Sequence, residues 1–179
     1  MKKYYDITIA GIKRKLPLCA VNDKLDIAAF VLFGDVEITI AATTELLKKL
    51  PEFDVIVTPE AKSIPLAYEF SRQTGKPYIV ARKGIKVYMI NPISVDVRSI
   101  TTAHPQKLYI GEDEVNMMKG KRVLIVDDVI STGESLEAVR ELVNTAGGNI
   151  IASCAILAEG DAEKRDDIIF LEPLPLFFK

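Results

Sequence analysis

The sequence predicts an α/β domain: a parallel sheet of about five strands flanked by helices, with an N-terminal hood and a β-rich loop set beside it. Three observations carry this. From residue 54 onward, short apolar runs alternate with helical stretches bounded by turn residues. Val123-Leu124-Ile125-Val126 is an unbroken apolar run, the pattern of a strand buried on both faces. The first fifty residues do not follow that rhythm, so they form a separate lid or hood over the sheet. The 179 residues then read as one domain, with 1–50 mainly hood and first helices, 51–160 core, and 161–179 returning to complete sheet and hood.

Taken in order, Asp6 to Ala10 and Lys15 to Val21 flank a turn at Gly11 and predict a hairpin. A short helix is expected over Ile27 to Phe33, and a longer one over Val36 to Leu50, with Asp35 as its N-cap. Asp54 to Thr58 reads as a buried strand, and Ile64 to Gln73 as a helix ended by Gly75. Pro77 to Ala81 is a second strand, followed over residues 83–110 by polar, β-rich sequence without helical period. A helical turn at Glu112 to Lys119 leads into the third strand at Val123. The next helix carries Leu136, Val139, Leu142 and Val143 on one face and stops at Gly147-Gly148. Ile150 to Leu157 and Asp167 to Leu171 supply the last two strands.

The third strand ends in two adjacent carboxylates, Asp127 and Asp128. After Val129 and Ile130 the chain becomes small and polar: Ser131, Thr132, Gly133, Glu134, Ser135. The first N–H groups of a helix have no internal partner, and its dipole favours negative charge there, so this loop suits a phosphate. The carboxylates suit the opposite task of accepting hydrogen bonds from hydroxyls or holding a hydrated divalent cation. One ligand with both a phosphate and a diol satisfies both halves. A plain capped turn would explain one acidic residue and leave the second without a role.

Two further strand ends carry charge. Thr58-Pro59-Glu60-Ala61-Lys62-Ser63-Ile64-Pro65 is another strand–loop–helix junction, with Pro65 in the first helical turn where its missing N–H costs nothing. Small neighbours around Glu60 and Lys62 let backbone amides approach an anion. Arg82-Lys83-Gly84-Ile85-Lys86 sets three cations around a glycine straight after a strand, which is either a solvated turn or a second anion grip. The polar stretch Asn91 to Gln106 includes Ser94-Val95-Asp96-Val97-Arg98-Ser99. His104, alone before a proline, reads as a surface loop residue.

Residues 122–136 resemble the phosphoribosyl pyrophosphate (PRPP) motif of type I phosphoribosyltransferases, in which four hydrophobic residues precede two acidic ones, two hydrophobics and a Thr-Gly-rich loop. Every position matches. Glu60-Ala61-Lys62-Ser63 resembles the pyrophosphate loop of adenine phosphoribosyltransferases, there Glu-Ala-Arg-Gly. Arg82 to Lys86 looks like the Arg-Lys-x-Gly-Lys segment with which purine enzymes grip pyrophosphate. Asn91 to Gln106 matches the position of the family's mobile catalytic loop, with Asp96 where adenine enzymes carry a glutamate. In the hood, Lys24 to Val31 is similar to a segment of xanthine phosphoribosyltransferases, but Leu32 and Phe33 then replace the polar residue that binds an oxygenated base.

The resemblance implies a type I phosphoribosyltransferase fold, Rossmann-like, and a purine salvage enzyme of the glycosyltransferase class, with adenine favoured over xanthine or hypoxanthine/guanine. It implies 5′-phosphate contacts from Ser131, Thr132, Gly133, Glu134 and Ser135, and pyrophosphate contacts from Glu60, Ala61, Lys62, Ser63, Arg82, Lys83 and Lys86. Asp127 and Asp128 would take the ribose hydroxyls and, through water, Mg²⁺; Asp96 would be the acid/base group; Leu32 and Phe33 would meet the base. A homodimer is expected with it.

The rest of the sequence narrows the alternatives. With 49% apolar and 27% charged residues the composition is that of a globular protein. A net charge of −2 with scattered lysines and arginines gives no surface for nucleic acid, which argues against a PRPP-sensing transcriptional regulator. A phosphoacceptor receiver domain would leave the Thr-Gly loop without a purpose, and no Gly-x-x-x-x-Gly-Lys-Ser/Thr loop is present. Met-Lys-Lys-Tyr-Tyr-Asp opens the chain without an apolar signal core, no run approaches a membrane span, and a cytoplasmic protein is expected. Cys19 and Cys154, each within an apolar segment, are expected to be buried free thiols. The apolar end from Leu171 to Phe178 is expected to pack beside the base site or on a partner subunit.

Overall fold

The computed structural model describes residues 3–97 and 106–179. Strands β1 (Tyr4–Ile9) and β2 (Ile12–Asn22) form the expected hairpin, turning through Ala10 and Gly11, both at positive φ. The short helix expected over Ile27 to Phe33 is absent. Leu25–Ala28 is instead strand β3, paired antiparallel with β2 through Leu18, Cys19 and Ala20. Every residue from Ile27 to Phe33 is apolar, so the segment has no period of its own, and a partner distant in sequence decides its conformation. Cys19 is correspondingly exposed on this sheet, contrary to expectation, while Cys154 is buried.

Helix α1 (Val36–Leu47) begins at Asp35, whose carboxylate accepts from the Ile38 N–H at 3.2 Å. Arg14 of β2 grips the same carboxylate with Nε and Nη2 at 2.8 and 2.9 Å and reaches Glu37 at 2.7 Å. Those bonds pin the hairpin to the helix start. The helix stops short of Leu50, because the Lys49 N–H turns back to the Leu46 carbonyl.

The core follows as β4 (Val55–Pro59), α2 (Ile64–Thr74), β5 (Tyr78–Ala81), β6 (Ile93–Val97), β7 (Gln106–Ile110), α3 (Glu112–Met118), β8 (Arg122–Ile130), α4 (Glu134–Thr145), β9 (Asn149–Glu159), a 3₁₀ turn at Gly160–Lys164, β10 (Ile169–Leu174) and β11 (Phe177–Phe178). Five strands form one parallel sheet in the order β10-β9-β8-β4-β5, as the apolar runs predict. Strand β8 does not stop at the acidic pair. It continues to Ile130 because Val129 and Ile130 stay paired with Leu157 and Ala158 of β9.

Successive strand residues point to opposite faces of the sheet. Val55, Val57, Val123 and Ile125 join α3, α4 and the β6–β7 ribbon on one side. Ile56, Leu124 and Val126 join α1, α2 and the hood on the other. β11 pairs with β3, so the apolar end of the chain adds the last strand to the hood sheet β1-β2-β3-β11. The strand order reverses direction between β4 and β8. In open α/β sheets that switch point, at the carboxyl ends of the strands, is where ligands bind.

Candidate active site

The loop after β4 and the acidic end of β8 lie side by side at the switch point. Together they line a cavity of 440 Å³ with Glu60, Ala61, Lys62, Ser63, Lys83, Asp127, Asp128 and Ser135 on its walls. A second cavity of 140 Å³, large enough for a phosphate, is formed by Ser131, Thr132, Gly133, Ser135 and Leu136. The two share Asp127, Val129 and Ser135. Two anion-suited loops therefore flank one pair of carboxylates.

Each loop is fixed by its own bonds. Ser63 is buried; its hydroxyl accepts from Thr58 Oγ1 at 2.7 Å and donates to the Pro59 carbonyl at 3.0 Å, closing the turn that opens α2. The Glu60 carboxylate turns across to β5, where it accepts from the Lys83 N–H at 2.9 Å and lies 3.4 Å from Arg82 Nε. Arg82 Nε is an ion-pair neighbour whose direction falls outside hydrogen bonding, and it is buried. Gly133 caps α4 with φ +85°, which lets the loop bend into the first helical turn.

The acidic pair sets two carboxylates side by side at the centre of the site. Asp128 is 3% exposed, and its N–H donates to Asp127 Oδ1 at 2.9 Å. Lys62 Nζ stands 3.0 Å from Asp128 Oδ2, a close charge contact whose angle falls outside hydrogen bonding, so this buried oxygen keeps an unused acceptor. Burial, with the neighbouring Asp128 carboxylate, holds the Asp127 carboxyl well above the usual carboxylate range, against a smaller downward pull from the Asp128 amide. A carboxylate raised in this way opposes folding. The penalty is absent below its unfolded pKa, builds as pH climbs to the raised folded value, and is complete above that. Asp127→Asn should therefore melt at a higher temperature than the parent at pH 7. The difference should vanish in thermal melts below about pH 4, near the ordinary carboxylate pKa.

Among the described residues no three His, Cys, Asp or Glu side chains stand together as a metal cage. What is present is a pair of hard oxygen donors, one with an unused buried lone pair. That donor set fits Mg²⁺, which keeps most of its waters and completes its shell from one or two carboxylates and a ligand's phosphates.

The remaining expected site residues are divided between this cavity and other places. Lys83 lines the larger cavity and Lys86 does not. Asp96 faces Lys107 at 3.4 Å and lines a different cleft, along α4, while Val97 and Gln106 of the same ribbon border the acidic pair's cavity. Arg98, Ser99 and His104 fall outside the described residues. Leu32 is 1% exposed and borders an apolar groove between α1 and α2, and Phe33 is exposed; neither lines the acidic pair's cavity.

Two residues not singled out from the sequence stand close to the site. Glu159 ends β9, where burial raises its carboxyl while the Ser131 hydroxyl and Lys62 draw it down. Its place at the carboxyl end of an apolar run is a signal that could have found it. Arg165, beyond the 3₁₀ turn, packs against Gly133. Nothing local in the sequence marks it.

Fold and site define a protein of the phosphoribosyltransferase class, and the comparisons agree. Residues 36–174 match the phosphoribosyl transferase domain family, and the chain belongs to that family. More particularly, its relatives include purine phosphoribosyltransferases. A hypoxanthine/guanine phosphoribosyltransferase of Methanococcus voltae is 36% identical over 124 residues, 69% of this chain and 63% of that one. An adenine phosphoribosyltransferase of Thermotoga petrophila is 37% identical over 109 residues, 60% of each chain. The matches thus span less than two thirds of these relatives' own lengths. The adenine phosphoribosyltransferase structure from Thermoanaerobacter pseudethanolicus shares the fold, with a TM-score of 0.69 and 24% identity over 96% of this chain and 95% of that one. No helix among the described residues is long and apolar enough to cross a membrane.

Proposed function

We propose that the protein transfers the 5-phosphoribosyl group from PRPP to a purine base, giving a nucleoside monophosphate and pyrophosphate. The observation that carries this reading is the pair of adjoining cavities, two anion loops on either side of the Asp127–Asp128 pair. A ribose bearing phosphate at one end and pyrophosphate at the other has that distribution of charge.

In this reading the amides and hydroxyls of Ser131 to Ser135 hold the 5′-phosphate at the α4 N-terminus. Asp127 and Asp128 accept hydrogen bonds from the two ribose hydroxyls, and their negative charge stabilises the cationic ribose that forms as the bond to pyrophosphate loosens. Lys62, now against Asp128, swings to the pyrophosphate with Lys83, so the cation that neutralises the acids before binding serves the leaving group afterwards. Asp127 and Asp128 would hold Mg²⁺ through water, and the ion would supply further charge neutralisation for the leaving pyrophosphate. No covalent intermediate is needed; positioning and electrostatics do the catalysis. Asp96 receives no acid/base role in this arrangement, since it borders another cleft.

For the base, adenine is the first reading, supported by the likeness of the Glu60–Ser63 loop to that of adenine enzymes. Hypoxanthine or guanine is the second, supported by the Methanococcus voltae enzyme, whose 36% identity is level with the 37% of the Thermotoga petrophila adenine enzyme. The protein is placed in purine salvage in the cytoplasm and expected to work as a homodimer. Nucleotide formation from PRPP and Mg²⁺, with adenine, hypoxanthine, guanine, xanthine and uracil in parallel, tests it. AMP as the main product is expected. IMP or GMP would move the assignment to the second reading, and no product from any base would end it.

A further inference from the structure

We propose that Arg165 is a positioning residue for the phosphate loop, gripping Gly133 from behind and fixing the loop in its anion-binding shape. The inference rests on the reading of Ser131 to Ser135 as the 5′-phosphate site.

Arg165 leaves the 3₁₀ turn between β9 and β10, and its guanidinium lies against the phosphate loop. A Cβ built on Gly133 would overlap Nη1 and stand 3.6 Å from Cζ. The guanidinium thus occupies the space that any other residue at position 133 would fill. Its orientation is fixed at the other edge: Nε and Nη2 donate to the two oxygens of Asp167 at 2.8 and 2.7 Å, and Nη2 also reaches Glu137 Oε1 at 3.2 Å. Nη1, the nitrogen on Gly133, takes no part in those bonds.

The carboxylates are themselves anchored. Arg140 of α4 donates to Asp167 Oδ2 at 2.7 Å, to Glu137 Oε1 at 3.1 Å and to Ser153 Oγ of β9 at 3.2 Å. Two cations and two anions therefore form one closed network that ties the first turns of α4 to the sheet. Its charges cancel, so it adds little net field at the phosphate cavity. What Arg165 contributes is geometry. A planar fork locked on Asp167 sets the height of Gly133, and with it the amides of the neighbouring loop residues. Lysine keeps the charge but cannot form that fork.

The test uses the intact protein and two probes, ribose 5-phosphate for the loop at Ser131 to Ser135 and pyrophosphate for the loop at Glu60 to Ser63. Calorimetric titrations would compare the parent with Arg165→Gln, Arg165→Lys and Asp167→Asn. All three variants should weaken ribose 5-phosphate about tenfold, the factor set by one well-placed anion contact, and leave pyrophosphate within about twofold. In turnover, KM for PRPP should rise about tenfold with kcat changed by less than about threefold. Rescue by Arg165→Lys would overturn the proposal, because charge alone would then suffice. Equal weakening of both probes would overturn it too, as the mark of a general loss of structure. Asp167→Asn serves if Arg165→Gln does not fold, because it releases the fork and leaves the arginine in place. If the parent itself does not bind ribose 5-phosphate, the reading of the loop falls, and the proposal falls with it.

Discussion

Replacing Asp127 and Asp128 together by asparagine should lower kcat/KM for PRPP by about a thousandfold while the protein stays folded. Removing one preorganised electrostatic contact to a developing charge costs about 10²–10³ in rate. In the proposed reading the two carboxylates serve one ribose, so their losses do not multiply. Folding survives for reasons visible at the site. Asparagine matches aspartate in shape, and its side-chain carbonyl can still accept from the amide of the next residue, as Asp127 Oδ1 does at 2.9 Å. The substitution also removes a repulsive contact between neighbouring like charges, of which Asp128 is buried. Lys62 loses a partner, but its side chain is 52% exposed and can be hydrated instead. Steady-state kinetics with a circular dichroism melt decide it. A loss under about tenfold in a folded variant is too small for the one pair proposed to hold the ribose, since it is worth under about 1.4 kcal/mol.

The second large effect is expected at Gly133→Ala. The backbone there has φ +85°, and a Cβ in the left-handed region costs about 1–2 kcal/mol. The added carbon would also push Arg165 off the loop. Stability should fall by about 2 kcal/mol, which is about 4–8 °C in Tm, and KM for PRPP should rise by about tenfold or more. Gly75→Ala is the control. Gly75 ends α2 with φ +69°, but nothing lies within 4 Å of a Cβ there. It should lose about 1 kcal/mol of stability and keep the parent's KM. Equal KM values in the two variants would show that the loop does not depend on Gly133.

How much of this was legible in the sequence follows from how local each signal is. The strands at Val55, Tyr78, Val123 and Asn149 are apolar runs with turn residues at their ends, and the caps at Asp35 and Gly75 are single-residue signals. The two loops proposed to hold anions were legible as strand–loop–helix junctions because each is contiguous in sequence. The segment from Leu25 to Ala28 was not, since its strand character comes from Cys19 on one side and Phe177 on the other. Cys19 is exposed for the same reason: its neighbours in the sheet are set by pairing, not by local hydropathy.

Within the site, residue type was legible and direction was not. Lys83 and Lys86 carry the same charge three positions apart, yet only Lys83 borders the cavity. Asp96 and Val97 are adjacent on β6 and face different cavities, as side chains on a strand must alternate. Arg165 belongs to a crossover distant in sequence from the loop it touches, so only the fold brings the two together.

The claim that one ligand spans both loops through the acidic pair has a direct test. Calorimetric titration of the parent and of the Asp127→Asn/Asp128→Asn variant with PRPP in the presence of Mg²⁺ measures it, with ribose 5-phosphate and pyrophosphate as competitors. Binding of one PRPP per chain is expected, tighter than either fragment, displaced by each, and weakened at least about tenfold in the variant. PRPP that binds no better than its fragments, or equally well to the variant, would contradict it.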